Sequence, residues 1–521
     1  MARELIVGID SGTSVVKAVA FDLAGRQIAV AGVANRYERV GAARVEQDLE
    51  ATWRDAAATL HDLARQVPDL AARVAAIAVT GQGDGTWLVD ADGRPVGRAL
   101  LWLDARATRI AEALRSDQAD AARFAATGTG LAACQQGAQL AWLDRHQPEA
   151  LAASATAFHC KDWLYFRLTG ERATDVSEAV LTFGDFRTRD YSDAVLDALG
   201  LARHARLLPP IVDGARHRSR LSADGARTIG LAAGTPVVLG AIDIVCSALG
   251  AGLLDRNADA GCSILGSTGL HMRLARSHFD VRLAPDRTGY TICVPNGDAC
   301  LQLQSNLAAT LNIDWVLDLI AGVLAADGIA PSRRSLIERI DAIVASASPG
   351  AVLFHPYIAD GGERGPFVDG AAHAGFYGLR SGHGHADLVR AVVEGLAFAA
   401  RDCYEAMGPI PDEIRLSGGA ARSPALRAVL AAALGRAVRP SRREEVGAAG
   451  AAMIAAVSLG LHRDLAECAD AWARPLLGEP EPPDAVLAAR YDDLFPIYRA
   501  AREAMAPVWR RLADHRERVG G

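Results

Sequence analysis

A chain in which one local pattern occurs twice, about half its length apart, is constrained to fold as two related halves. Here the pattern is an apolar strand that runs into a turn of small hydroxyl residues and returns as a second strand. Leu5-Ile6-Val7 leads into Gly8-Ile9-Asp10-Ser11-Gly12-Thr13-Ser14 and on to Lys17, and Cys262 to Leu265 leads into Gly266-Ser267-Thr268-Gly269 and a returning strand from His271. Small residues let successive backbone N–H groups converge on one anion, hydroxyls add donors, and an aspartate at the strand end can hold a hydrated magnesium ion. The repeat predicts a duplicated nucleotide machine. Two domains also suit 521 residues, because a single core rarely grows past about 250–300 residues.

The charge balance narrows the partners. A net charge of −7 without a long basic run argues against a nucleic-acid groove and for a small-molecule substrate. Met1-Ala2-Arg3 passes straight into a strand with no signal core, so a cytoplasmic protein is expected. The longest uncharged segment, Val446 to Leu461, is rich in Gly and Ala and too short to span a membrane; it reads as a buried helix. Eight cysteines without any C-x-x-C spacing suit reduced thiols and imply no zinc site. Of 55 basic residues only Lys17 and Lys161 are lysines. A compact ammonium differs from a planar guanidinium at a phosphate, which gives Lys17 a physical reason to persist; for Lys161, chance survival stands level with selection.

Leu5 to Asp10, Val15 to Phe21 and Gln27 to Val33 read as an antiparallel meander, Leu49 to Val67 as a helix, and Val74 to Thr80 as a strand ending in the loop Gly81-Gln82-Gly83-Asp84-Gly85. Asp92-Gly93 between Thr86–Asp90 and Ala99–Leu103 signals a hairpin. Val237 to Gly240 is a further strand, leading to Asp243 and a small-residue helix. In the second half an apolar helix from Asp387 to Met407 precedes the strand Glu413 to Leu416, the turn Ser417-Gly418-Gly419-Ala420 and a helix from Ser423.

Phosphoryl transfer needs an anion cradle, a magnesium anchor and a base. No P-loop string occurs, so the cradle falls to the paired turns, with Asp10 as the anchor through water and Thr13, Lys17, Ser267 and Thr268 on the phosphates. Asp243, between strand and helix, fits a general base and an ordinary helix N-cap equally well. Gln82, Asp84, Trp102 and Asp104 combine hydrogen-bonding groups with an indole that can cover a C–H face, a mixture suited to a polyol or sugar. His383 and His385 look like a metal pair but read as a solvated loop, and no metal is assigned to protein histidines.

These residues resemble the FGGY carbohydrate kinases, from about Leu5 to Leu461. The likeness is carried by the first turn with Lys17, Trp102-Leu103-Asp104-Ala105-Arg106, Lys161-Asp162-Trp163-Leu164, Arg167-Leu168-Thr169-Gly170, Thr174-Asp175, Gly266-Ser267-Thr268-Gly269, Gly362-Glu363-Arg364-Gly365-Pro366, Glu394-Gly395, Ser417-Gly418-Gly419-Ala420 and Gly447-Ala448-Ala449-Gly450-Ala451. The resemblance implies two actin-like, ribonuclease-H-like α/β domains with the active site in the interdomain cleft. It implies ATP and Mg2+, Asp243 as catalytic base, Asp84 as a substrate ligand, Thr268 at the γ-phosphate, and Gly418, Gly419 and Ala420 at the adenosine. Two positions depart from the pattern: Ile242 stands where members commonly have glycine, and Gly83 where glycerol kinases have arginine. Gly81 to Trp87 and Phe158 to Tyr165 look most like bacterial erythritol kinases, with L-xylulose kinases next.

The resulting expectation is an ATP-dependent kinase of a small polyol, erythritol foremost. Residues 1–250 would hold substrate and base. Residues 251–480 would hold ATP through Gly266, Ser267, Thr268, Gly418, Gly419, Ala420 and Ser423, with Ser11, Gly12, Thr13, Ser14 and Lys17 completing the phosphate site from the first half, and 481–521 would form a helical tail. A homodimer is left open. The alternatives are a pentulose kinase and, from another class, a non-enzymatic actin-like ATP switch.

Overall fold

The computed structural model describes residues 3–41, 43–326, 328–329 and 331–519; Met1 and Ala2, where the N-terminal reading begins, lie outside them. The first half is built on a six-stranded sheet. Its strands are β1 (Leu5–Ser11), β2 (Val15–Asp22), β3 (Gln27–Ala34), β4 (Val74–Gly81), β5 (Ser219–Arg220) and β6 (Pro236–Leu239), in the order β5-β6-β4-β1-β2-β3. β1, β2 and β3 form the expected antiparallel meander, whereas β4 and β6 run parallel to β1. The second half repeats five strands of this order with β7 (Ala260–Leu265), β8 (Gly269–Ala275), β9 (Tyr290–Cys293), β10 (Cys300–Asn306), β11 (Glu413–Ser417) and β12 (Ala437–Pro440), arranged β9-β10-β8-β7-β11-β12, its sixth strand β9 lying at the antiparallel edge where β5 lies at the parallel one. Three antiparallel strands followed by two parallel ones, built twice, make two ribonuclease-H-like units.

Helices cover the sheets because their apolar residues recur at helical spacing. In α1 (Leu49–Gln66), Leu49, Trp53, Ala56, Leu60 and Leu63 are buried on one face, and the Asp48 carboxylate caps the start by accepting the Ala51 N–H. Further on come α2 (Cys160–Thr169), α3 (Val176–Phe183), α4 (Asp243–Gly250), α5 (His385–Ala406), α6 (Pro424–Leu434) and α7 (Val446–Ser458). Nearly every residue of α7 is buried, as its lack of charge predicts, since it is wedged against α4 and the first sheet. Its small residues are a packing requirement: a Cβ at Gly450 would sit 1.9 Å from the Cys246 carbonyl oxygen. α8 (Ala485–Val519) closes the chain and buries Tyr491 and Tyr498 in the second half. Among the described residues no helix is long and apolar enough to cross a membrane.

The hairpin expected around Asp92-Gly93 is only partly made. The turn forms, with Asp90 and Arg94 exchanging backbone and side-chain bonds. Trp87–Val89, however, pairs with Thr156–Phe158, and Ala99–Leu100 with Glu46 and Gln47. Only isolated bridges, Thr86 to Leu100 and Val89 to Pro95, join the two arms, whose remaining edges are taken by the distant strands.

Candidate active site

The ends of β1, β4 and β6 and the β7–β8 turn open onto one cleft of about 140 Å³. Thr13, Asp84, Trp102, Ile242, Asp243, Thr268, Tyr290 and Arg364 are among the residues lining it. Residues from both halves thus face the same space. Asp243 is the first residue of α4. Burial, and next the charge of Asp10, raise its carboxyl to about 8, while the Ile244 and Gly83 N–H groups pull the other way. Asp84, which also lines the cleft, has a left-handed backbone (φ 54°). Its Oδ2 accepts the Cys134 thiol at 3.4 Å, its Oδ1 is buried without a partner, and burial raises it above the usual carboxylate range.

The first turn is held in shape by a chain of side chains. Trp102 donates its indole N–H to Thr13 Oγ1 at 2.8 Å, Thr13 faces Gln82 Oε1 at 3.3 Å, and Gln82 donates to Gln47 Oε1 at 2.9 Å. Gln47 in turn donates to Asn35, whose amide reaches the Gly12 carbonyl at 2.7 Å. Gln82, expected on the substrate, therefore stands behind Thr13, buried and outside the cleft lining. Asp104 is likewise committed elsewhere: its carboxylate accepts the Val45 N–H at 2.7 Å and is gripped by Arg106. Ser11 is buried against the Cys160 thiol, 3.4 Å away, while Ser14 is exposed at the turn.

Lys17 pairs with Glu445 at 2.7 Å, next to Asp10 rather than alone. Asp10 lies against the first turn of α7, where a Cβ at Gly447 would meet its Oδ2. Its Oδ1 is buried without a partner, and burial, opposed by Lys17, raises it to about 6. Among the described residues no group of three His, Cys, Asp or Glu could enclose a metal; His383 accepts the Arg380 N–H and His385 opens α5. In the second half Gly266 accepts from Thr310, the Ser267 carbonyl from Ala309, and Ser267 itself is exposed. Gly418 has φ 92° with the Leu265 carbonyl 2.6 Å from any added Cβ, so only glycine fits there. Gly419 and Ala420 follow in a short 3-10 turn, and Ser423 caps α6 while donating to Asp341 at 2.5 Å.

Sequence reasoning missed Tyr290 and Arg364 as cleft residues, and it missed the buried cluster behind Asp84. There Lys161 Nζ meets Asp162 at 2.6 Å and Asp175 at 2.8 Å, all three essentially inaccessible. His159 touches Asp162 at 3.2 Å and Glu178 at 3.6 Å. Glu178 has neither oxygen hydrogen-bonded, and burial raises it to about 8. The available signal was the second lysine in an arginine-rich chain.

Two ribonuclease-H-like halves that bring carboxylates and hydroxyl turns to one cleft define the class of actin-like two-domain proteins. Similarity makes the assignment particular. The N-terminal domain of the FGGY family of carbohydrate kinases matches residues 5–250 and the C-terminal domain residues 262–459. An erythritol kinase of Brucella abortus (strain 2308) is 53% identical over 98% of both chains. A xylulose kinase of Escherichia coli (strain K12) is 28% identical over 97% of this chain and 100% of its own. The crystal structure of xylulose kinase from Rhodospirillum rubrum superposes with a TM-score of 0.86 at 25% identity, covering 97% and 100% of the two chains. The chain belongs to the FGGY family of carbohydrate kinases, which use ATP as phosphoryl donor.

Proposed function

We propose that the chain transfers the γ-phosphoryl group of ATP to a terminal hydroxyl of a small polyol, erythritol foremost. The 53% identity to an erythritol kinase supports the choice of acceptor. The carrying observation is Asp243, a carboxylate raised to about 8 at the head of a helix, facing a cleft it shares with Thr13, Asp84, Thr268 and Tyr290. A base poised near neutral pH suits proton abstraction in the transition state. The hydroxyl proton passes to Asp243 as the acceptor oxygen bonds to the γ-phosphorus, and the bond from that phosphorus to the β–γ bridging oxygen breaks, releasing ADP. Asp84 and Tyr290 hydrogen-bond the other hydroxyls, and Trp102 covers a C–H face.

Gly12, Thr13 and Ser14 from the first turn and Gly266, Ser267 and Thr268 from the second would hold the phosphates. Gly418, Gly419, Ala420 and Ser423 would receive the adenosine. Asp10 fits magnesium held through water: its unpartnered buried oxygen and its repulsion of Asp243 both call for a cation. That ion, when bound, neutralises charge on the phosphate oxygens. Lys17 contributes by balancing Asp10 and Glu445 rather than as a free phosphate ligand.

A coupled ADP-release assay across erythritol, other tetritols, both xyluloses, ribulose and glycerol tests the reading. Erythritol should give the highest kcat/KM, and Asp243→Asn should lower kcat by about 10²-fold or more while ATP affinity stays within about two-fold. Near-normal turnover in Asp243→Asn would remove the base assignment. ADP release indifferent to every acceptor would favour a nucleotide switch.

A further inference from the structure

We propose that Ile242 and Gly83 are a sterically matched pair that forms the size-selecting wall of the acceptor site; the inference rests on the acceptor reading above. Gly83 lies between Gln82 and Asp84 after β4, and Ile242 directly precedes Asp243 after β6. A Cβ built on Gly83 would sit 2.0 Å from Ile242 Cδ1 and 2.5 Å from its Cγ1. Carbon atoms in contact keep about 3.5–4.0 Å. The two positions therefore cannot both carry side chains in this arrangement. Gly83 is absent from the positive-φ glycines, so its backbone does not itself demand glycine. The demand comes from the isoleucine.

The backbone of Ile242 is anchored, and its β-branched side chain is stiff at χ1. Its N–H donates to Ser177 Oγ at 2.9 Å, and the preceding Ala241 carbonyl accepts Thr80 Oγ1 at 2.7 Å. Its side chain is 2% exposed, and what it exposes lines the cleft between Asp84 and Asp243. In this chain the space between the β4 and β6 loops is filled by the aliphatic side chain of Ile242, which enters from the β6 loop. The consequence is chemical. The wall between the two carboxylates cannot hydrogen-bond a hydroxyl or a carbonyl; it can only pack against C–H groups, and its bulk shortens the space for the acceptor chain.

A cavity wall of this kind discriminates one methylene unit by about 10–200-fold. In Ile242→Ala, kcat/KM for the five-carbon polyols xylitol and ribitol relative to erythritol should rise about ten-fold or more. Gly83→Ala alone should lower kcat/KM for erythritol and the melting temperature; Gly83→Ala with Ile242→Ala should recover both in part. A five-carbon to four-carbon ratio within two-fold of wild type in Ile242→Ala would overturn the selecting role. Wild-type stability and kinetics in Gly83→Ala would overturn the pairing. If the unaltered protein turns over no polyol, the acceptor reading and the selecting role fall together, while the melting temperatures of the single and double variants still decide the pairing without any substrate.

Discussion

Replacing Lys161 with methionine removes the only cation among the described residues that contacts both Asp162 and Asp175, while keeping most of the side-chain volume. Both contacts, 2.6 and 2.8 Å, lie in a region with essentially no solvent exposure. At an effective dielectric near 20, a charge pair about 3 Å apart is worth about 5 kcal/mol, offset by several kcal/mol of desolvation per ion. The measurable loss is that of two carboxylates left buried without their counterion, about 3–5 kcal/mol. Against burial, which raises it, Lys161 and then His159 hold Asp162 down to about 2 in the intact chain, and the larger of those two holds is lost with Lys161. The assay is urea unfolding, following the first transition, since a two-domain chain need not unfold in one step. A slope near 3 kcal/mol per M turns the loss into a midpoint lower by about 1 M or more. Lys161→Met with Asp162→Asn should be more stable than Lys161→Met alone, because it removes one of the stranded charges. Asp175 also accepts the N–H and hydroxyl of Ser177, whose oxygen accepts the Ile242 N–H. The cluster thereby positions the segment leading into Asp243, and kcat should fall with KM for ATP unchanged. A wild-type midpoint in Lys161→Met, or a double variant less stable than the single, would refute the reasoning.

Trp102→Phe keeps an aromatic face but loses the 2.8 Å bond to Thr13. The free energy at stake is about 1 kcal/mol, so kcat/KM should drop about five-fold in the coupled assay. Glu178, raised to about 8 mainly by burial, holds its proton in the folded chain after the unfolded chain has lost it. Its contribution is full below the ordinary glutamate range and is lost as pH rises through about 8, at up to about 1.4 kcal/mol per pH unit. Glu178→Gln should flatten urea stability between pH 5 and 8 by that amount; an unchanged slope would place the pH dependence elsewhere.

Local pattern was enough for the parts of the fold that local pattern controls. The meander followed from three β-rich runs split by turns, and α7 from an uncharged Gly and Ala segment that only a buried helix accommodates. The duplicated turn located one face of the cleft from each half. What stayed hidden depends on contacts between distant residues. Gln82 looked like a ligand because loop amides often are, yet Gln47, 35 residues upstream, claims its amide group. Asp104 carried a warning in Arg106 two residues on, which takes its carboxylate. The unusual lysine pointed to the phosphates, whereas the structure gives Lys17 a carboxylate partner and places Lys161 at the centre of a buried ion cluster. No spacing rule could reveal that Ile242 fills the space beside Gly83, 159 positions away in the chain.

The position of the close-packed crossing bears on how the site works. A Cβ at Gly250 would lie 2.1 Å from the Val446 carbonyl oxygen, and one at Gly450 1.9 Å from that of Cys246, so α4 and α7 touch backbone to backbone. The halves have least slack there. The start of α4 is Asp243, and the start of α7 follows Glu445, which holds Lys17, and contains Gly447, which abuts Asp10. Asp10 on β1 and Asp243 at the head of α4 both belong to the first half, whereas Arg364 belongs to the second. A rotation of one half against the other therefore moves Arg364 relative to Asp243 and leaves Asp10 and Asp243 in register. Closure of that kind would exclude water from bound phosphates without disturbing the proposed base and cation anchor.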